Sequence, residues 1–269
     1  MDLRLFEGIF LWGAVASYLI GFMVFVIAIV FEKRRYITVG WVLAITGFTC
    51  HSITIVFRWM LSGHPPFFDN YEHFLAEGWF FMLIYIVLAT KSGKIRRLGV
   101  GVLPFCALFL GYGIMAGEFD PQPMSPPYKS LWLWAHAVSW FGHSAFFIAG
   151  ITSVLYLIKD KGYLKILPST KDLDLITFRM IIFGFITLTI GTGAGALWAH
   201  GLWGRYWAWD PIETWTLIIW VIYGANIHLR TTYKWNGKKG AYLAIASLIA
   251  VYIALGGIGF VGGVHTSLL

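Results

Sequence analysis

Apolar stretches long enough to cross a bilayer recur about eight times along the 269 residues. They lie near 8–31, 37–61, 75–90, 98–116, 131–158, 175–199, 212–229 and 240–264. Hydrocarbon offers no partner for a backbone N–H or C=O, so each stretch predicts a helix that satisfies its own backbone. Residues are 58% hydrophobic and only 12% charged, against roughly 25% charged in ordinary soluble domains. A soluble fold of this length could not hide so much apolar surface. The third stretch is short and carries Glu77 just before its apolar core.

The few charges are placed unevenly. Lys33, Arg34 and Arg35 follow the first stretch, and Lys91, Lys94, Arg96 and Arg97 follow the third. Lys159, Lys161, Lys165 and Lys171 follow the fifth, and Arg230, Lys234, Lys238 and Lys239 the seventh. The intervening loops hold few cations and several acids: Asp69, Glu72, Glu118 and Asp120. Cations collect on the cytoplasmic side of a membrane. The chain therefore reads as an all-α, polytopic membrane protein with both termini outside, together with the loops near 62–74, 117–130 and 199–211. This layout accounts for the net charge of +7 without nucleic acid. No internal repeat and no long linker divide the chain, so 1–269 is expected to be a single integral membrane domain.

Cys50 and Cys106 both lie within apolar segments, and no CxxC or CxxCH occurs. The pattern offers neither an extracellular disulfide, nor a thioredoxin-like motif, nor a covalent haem site of the chain's own. The first apolar run continues into a full span without a signal-peptidase pattern.

The most informative segment runs from Trp203 through Gly204, Arg205, Tyr206, Trp207, Ala208, Trp209 and Asp210 to Trp215, with Trp198 just before it. An interfacial aromatic belt would explain Trp198 and Trp215. Asp210, Pro211 and Glu213 suit N-cap, N1 and N3 of the next helix. The remaining residues ask for more. Glycine lets the backbone bend or approach a ligand closely. Indoles offer flat apolar walls, each with one N–H donor. Arg205 offers a fork for a carboxylate. Together they suit a flat apolar macrocycle bearing two propionates, which describes a porphyrin.

Eight histidines occur: His51, His64, His73, His136, His143, His200, His228 and His265. His64 and His73 read as solvated loop residues. Polar groups within spans are costly and are functional candidates. His136 falls about one turn inside the outer end of the fifth span, and His265 at the outer end of the eighth. Both should lie at the depth of the tryptophan loop, where two imidazoles could hold one iron from opposite faces. The alternative for each is an interfacial histidine bonded to backbone. His228 lies near the inner end of the seventh span, where a cation is favoured. His51 and His143 lie nearer mid-membrane and offer a buried pair or a second haem site. His143 is seven residues after His136, on one face of a continuous helix.

The string from Trp203 to Trp215 resembles the WWD domain of the haem-handling superfamily of cytochrome c maturation proteins, above all its CcsA (or ResC) branch of the system II pathway. Arg58 to Glu72 resembles that branch's loop after the second span, although it departs from the usual pattern around Pro65 to Asp69. The resemblance covers most of the chain and includes the eight-span layout. It implies that the loop near 198–215 binds haem b, held transiently as substrate; the residues expected to contact it are Trp203, Gly204, Tyr206, Trp207, Trp209 and Asp210, with Arg205 assigned to a propionate on its chemistry alone. It implies axial ligation by His136 and His265, and that His228 takes haem in transit with a ligand from a CcsB/ResB-like membrane subunit.

The function implied is haem delivery and attachment to a CxxCH apocytochrome c outside the cytoplasm, as a subunit of a holocytochrome c synthase forming thioethers. The setting is a bacterial plasma membrane, or a thylakoid membrane for a plastid-encoded chain. Two other functions fit parts of the pattern. One is a haem exporter or chaperone of the CcmC type without attachment activity. The other is a b-type quinol-oxidising electron-transfer subunit using His51 with His143.

Overall fold

The computed structural model describes residues 2–117, 120–121 and 130–258, apart from the side chains of 252 and 254–258. The order is α1 (Leu3–Val30), α2 (Arg34–Ser62), α3 (Asn70–Lys91), a 3-10 turn (Ile95–Leu98), α4 (Gly99–Ala116), α5 (Leu131–His136), α6 (Ser139–Asp160), α7 (Thr170–Trp203), α8 (Pro211–Thr232) and α9 (Lys238–Ile258). Among the described residues six spans are long and apolar enough to cross a membrane: α1, α2, α3, the 3-10 turn with α4, α5 with α6, and α7. The seventh and eighth expected stretches are also helical, as α8 and α9.

Helix starts follow their caps. Asp2 accepts from the amides of Arg4 and Leu5, so α1 begins earlier than the apolar run suggests. Asp69 accepts from the Glu72 amide at 2.7 Å, which opens α3 at Asn70 and gives the short third stretch 22 residues. Glu77 thereby lies inside a helix, where it is buried.

The chain packs as two compact units, Met1–Met124 with Ile158–Ser169, and Ser125–Leu157 with Thr170–Leu269. In the first, aromatic side chains of α1 fit against glycines of α2. A side chain on Gly47 would start 2.6 Å from the Tyr18 ring, and one on Gly40 would start 3.0 Å from Phe25. Small residues allow such close approach between helices in lipid, where van der Waals packing drives association. The segment 158–169 is tied to this unit by Arg97, whose Nη1 donates to the Ile166 carbonyl at 2.6 Å.

A buried ion cluster closes one end of the same unit. Arg58 has no exposed side-chain surface; its Nε donates to Glu72 at 2.8 Å and its Nη2 to Asp69 at 2.7 Å. The guanidinium lies over the Tyr71 ring, and the Tyr71 hydroxyl donates to buried Glu7 at 2.9 Å. Glu72 also accepts from the Phe68 amide at 3.1 Å. Arg58 thus pins α1, α2, α3 and the loop before α3. His64 belongs to this loop but is 3% exposed, its Nδ1 donating to the Pro65 carbonyl at 3.0 Å. The expectation of a solvated His64 is corrected, because the folded loop tucks the ring against Phe68. His73 is exposed, but it lies in the first turn of α3 rather than in a loop, because Asp69 starts the helix at Asn70.

The second unit holds polar contacts between helices along its length. Thr152 and Thr177 hydroxyls lie 2.7 Å apart, and Asn226 Nδ2 donates to Ser247 at 3.1 Å. Arg230, 3% exposed, donates through Nη2 to Asp174 at 2.7 Å. The same Asp174 oxygen accepts from the Gly237 amide, which ties the α8–α9 turn to α7.

Removing one partner of a buried pair strands the other charge, at a cost of about 3–5 kcal/mol. Arg58→Ala and Arg230→Ala should each lower the thermal midpoint, followed by tryptophan fluorescence in detergent. Exchange of the exposed Arg35, which bonds its neighbour Tyr36, should leave it unchanged. Midpoints for all three within error of the native protein would refute the buried clusters as anchors.

Candidate haem site in the second unit

α7 is 34 residues long. At 1.5 Å per residue it spans about 51 Å, against a hydrocarbon core of about 30 Å. Its last turns can therefore project beyond lipid, and they carry the tryptophan segment. Trp198 is buried, and Trp203 lies 6.2 Å from it, tilted by 60°. Gly204, at φ 70°, ends the helix in the left-handed conformation, and its amide donates to the His200 carbonyl at 2.9 Å.

The loop then turns back over the helix end. Tyr206 stacks on His200 at 4.2 Å between ring centroids, 14° from parallel. Trp207 is half-buried and meets Trp209 edge-on at 5.9 Å. Trp209 is 70% exposed and sits at φ 58°. For a non-glycine residue that conformation costs of the order of 1–3 kcal/mol and persists only when its surroundings over-determine it.

Those surroundings are visible. Asp210 caps α8 by accepting from the amides of Ile212 and Glu213, at 2.9 and 3.2 Å. Glu213 reaches back to accept from the amides of Ala208, at 2.6 Å, and Asp210, at 3.4 Å. The expected cap of Asp210, Pro211 and Glu213 is present as a full capping box. It also does something the sequence pattern did not announce: the Glu213 carboxylate grips Ala208 as well and so holds Trp209 between two bonded amides. Arg205, Tyr206 and Trp209 are left exposed. Among the described residues, the Trp207 indole nitrogen is buried with no protein acceptor.

His136 ends α5 rather than lying within one long helix. The expected span over 131–158 is interrupted at Ala137 and Val138. There the backbone switches to tighter bonds, from Val138 N–H to the Ala135 carbonyl and from Trp140 N–H to the Ala137 carbonyl. The His136 carbonyl accepts instead from the Ser139 hydroxyl at 2.8 Å. This break ends the common helical register that would put His136 and His143 on one face.

The half-buried His136 ring lies on α7. Its Nδ1 is 2.8 Å from the Gly191 carbonyl, and its plane stands 6.4 Å from Trp198 at 23°. A carbonyl only accepts, so Nδ1 carries the proton. In the neutral ring the lone pair then falls on Nε2, the arrangement found in metal-ligating histidines.

The remaining histidines are placed as follows. His265 lies outside the described residues. His228 is exposed near the end of α8, with Thr232 Oγ1 3.4 Å from its Nδ1 and Tyr233 edge-on at 5.8 Å. His51 is fully buried; its Nε2 donates to the Leu75 carbonyl at 2.9 Å and its Nδ1 faces the Tyr18 hydroxyl at 3.3 Å. Both ring nitrogens of His51 are thus engaged by protein. Among the described residues, no three His, Cys, Asp or Glu side chains gather as a metal cluster.

The family model described as Cytochrome C assembly protein matches residues 68–265. The cytochrome c biogenesis protein CcsA of Guillardia theta is 35% identical over 254 residues, covering 82% of this chain and 83% of that one. CcsA of Porphyra purpurea is 31% identical over 262 residues, with 80% and 82% covered. Among solved structures, the cytochrome c haem lyase CcmF superposes with a TM-score of 0.72 at 18% identity. That match covers 97% of this chain and 52% of the CcmF chain, so the present fold corresponds to about half of the larger molecule. With a family match across about three-quarters of its length and CcsA relatives aligned over about four-fifths of it, the chain belongs to the cytochrome c assembly family, as a CcsA-type member.

Proposed function

We propose that the chain acts in cytochrome c biogenesis by holding haem b as a transient substrate beside the WWD loop and delivering it for attachment to a CxxCH apocytochrome c. The observation that carries this reading is His136: its Nδ1–H is fixed by the Gly191 carbonyl and its ring lies near-parallel to Trp198, at the end of α7 that leads into the indole-rich loop. Family membership makes haem the expected cargo, and the fit of the residues supports it. Trp207 offers a buried N–H without an acceptor among the described residues, suited to a propionate. Exposed Tyr206 and Trp209 offer faces for a macrocycle, and exposed Arg205 a carboxylate fork.

Each group has a defined part in this reading. His136 holds the iron through Nε2 from one side, and His265 from the other. The loop through Trp203, Gly204 and Asp210 keeps the porphyrin plane in place while an edge stays accessible. In the attachment step each apocytochrome cysteine adds S–H across a haem vinyl group, the sulfur bonding to one carbon and the proton going to the other. No electrons are lost or gained in that addition. The apocytochrome's own histidine then displaces one of the two imidazoles.

His228, exposed near the end of α8, is proposed to receive haem in transit with a second ligand from a CcsB/ResB-like subunit. The cation clusters support a topology with this end of α8 in the cytoplasm, the WWD loop and both termini outside, and eight spans between. The membrane is a bacterial plasma membrane, or a thylakoid membrane for a plastid-encoded chain. Electron transfer through a His51–His143 pair is disfavoured, because protein groups already engage both His51 nitrogens.

His136→Gly should reduce holocytochrome yield at least tenfold in cells co-expressing a CxxCH apocytochrome and a CcsB-like partner, with partial recovery of haem binding on adding imidazole. Normal yield from this variant would refute the ligand assignment. Trp207→Phe keeps a ring but loses the N–H; a lost hydrogen bond to a charged group is worth about 1.5–3 kcal/mol, so haem retention should fall roughly tenfold or more. Unchanged retention would return Trp207 to a packing role. Haem stain surviving denaturation on the apocytochrome supports attachment; bound haem without any covalent product would favour a CcmC-type chaperone.

A further inference from the structure

We infer that Gly195 is a positioning residue for His136: the absence of its side chain opens the Gly191 carbonyl to the imidazole and so directs Nε2 toward the ligand. This rests on the reading of His136 as an iron ligand, but the seat itself can be tested without haem.

In a helix each Cβ leans toward the N-terminus and covers the turn before it. A side chain at position 195 therefore lies over the carbonyl of residue 191. That carbonyl belongs to the α7 ladder, yet a carbonyl has two lone pairs. The second one meets His136 Nδ1 at 2.8 Å. A Cβ on Gly195 would stand 2.7 Å from the same nitrogen and 3.1 Å from Cε1 of the ring. The imidazole and a side chain at 195 compete for one volume.

Two neighbours complete the seat. A Cβ on Gly191 would stand 2.6 Å from the Ser139 Cβ and 2.8 Å from its backbone nitrogen, so Gly191 admits the break after His136 as Gly195 admits the ring. Trp198, one turn beyond Gly195, walls the notch with its near-parallel indole at 6.4 Å. Gly191, Gly195 and Trp198 share one face of α7 at i, i+4 and i+7. Gly193, by contrast, has nothing within 4 Å of an added Cβ. The glycines of this stretch are therefore not equivalent, although the sequence shows them alike.

The test uses the full chain in nanodiscs, first without haem. Nitrogen-15 spectra of labelled histidine, with the His136 signal assigned by its loss in His136→Gln, report which ring nitrogen carries the proton. The native protein and Gly193→Ala should show the Nδ1–H form. In Gly195→Ala the Nε2–H form should become the major one. Alanine is a better helix former than glycine, so α7 itself should tolerate both changes. With haem added, Gly195→Ala should lose retention at least tenfold and regain part of it with imidazole, while Gly193→Ala behaves as native.

An Nε2–H form in the native protein would overturn the inference, as would Gly195→Ala spectra identical to those of Gly193→Ala. If the proton moves as expected in Gly195→Ala but His136→Gln retains haem as the native protein does, the seat stands and the ligand assignment falls.

Discussion

A backbone group freed where a helix breaks must find another partner, and the shape of this protein near its candidate site follows from how such groups are satisfied. Three interruptions matter. After His136 the freed carbonyl is taken by the Ser139 hydroxyl. After Trp203 the backbone turns at Gly204, whose amide returns to His200. Before α8 the amides of Ala208 and Asp210 are collected by Glu213. Each break is closed by a specific partner, and each closure leaves an aromatic or imidazole ring in a fixed place. The irregular backbone is held because its freed polar groups find partners within the protein.

Buried arginines serve the same end at larger scale. Arg58 draws Asp69 and Glu72 together and fixes the turn between α2 and α3. Arg230 draws Asp174 and, through it, the turn between α8 and α9. A guanidinium out of water must be paired, since an unpaired one costs several kcal/mol. The loops that carry its partners are held as a consequence. Each unit therefore has one charged knot at a helix end in addition to its apolar packing.

The relation between His136 and α7 joins local rules to chemistry. The helix break frees the imidazole to lie sideways, the glycine notch accepts it, and the Gly191 carbonyl selects the tautomer. An imidazole at the same depth on an unbroken helix would point wherever its rotamer allowed. Here the fold leaves the ring one direction.

Much of this was open to reading from residues alone, because lipid and helix caps impose one-dimensional patterns. Apolar length announced the helices, cation spacing separated their ends, and Asp210, Pro211 and Glu213 marked the start of α8 before any coordinate was known. The Trp203–Trp209 run marked the loop as a candidate site, since indoles beside glycine and arginine suit a flat ligand with carboxylates. Packing decided the rest. Nothing in the spacing of Ala137 and Val138 foretold the break after His136, which depends on a hydroxyl three residues on and a glycine on another helix. His64 looked like a loop histidine until the Arg58 cluster drew its loop inward. Gly193 and Gly195 differ only in what lies against them. Patterns along a chain can specify which segments enter lipid and where helices begin; which ring meets which carbonyl depends on contacts between residues as far apart as His136 and Gly191, and no linear spacing encodes those.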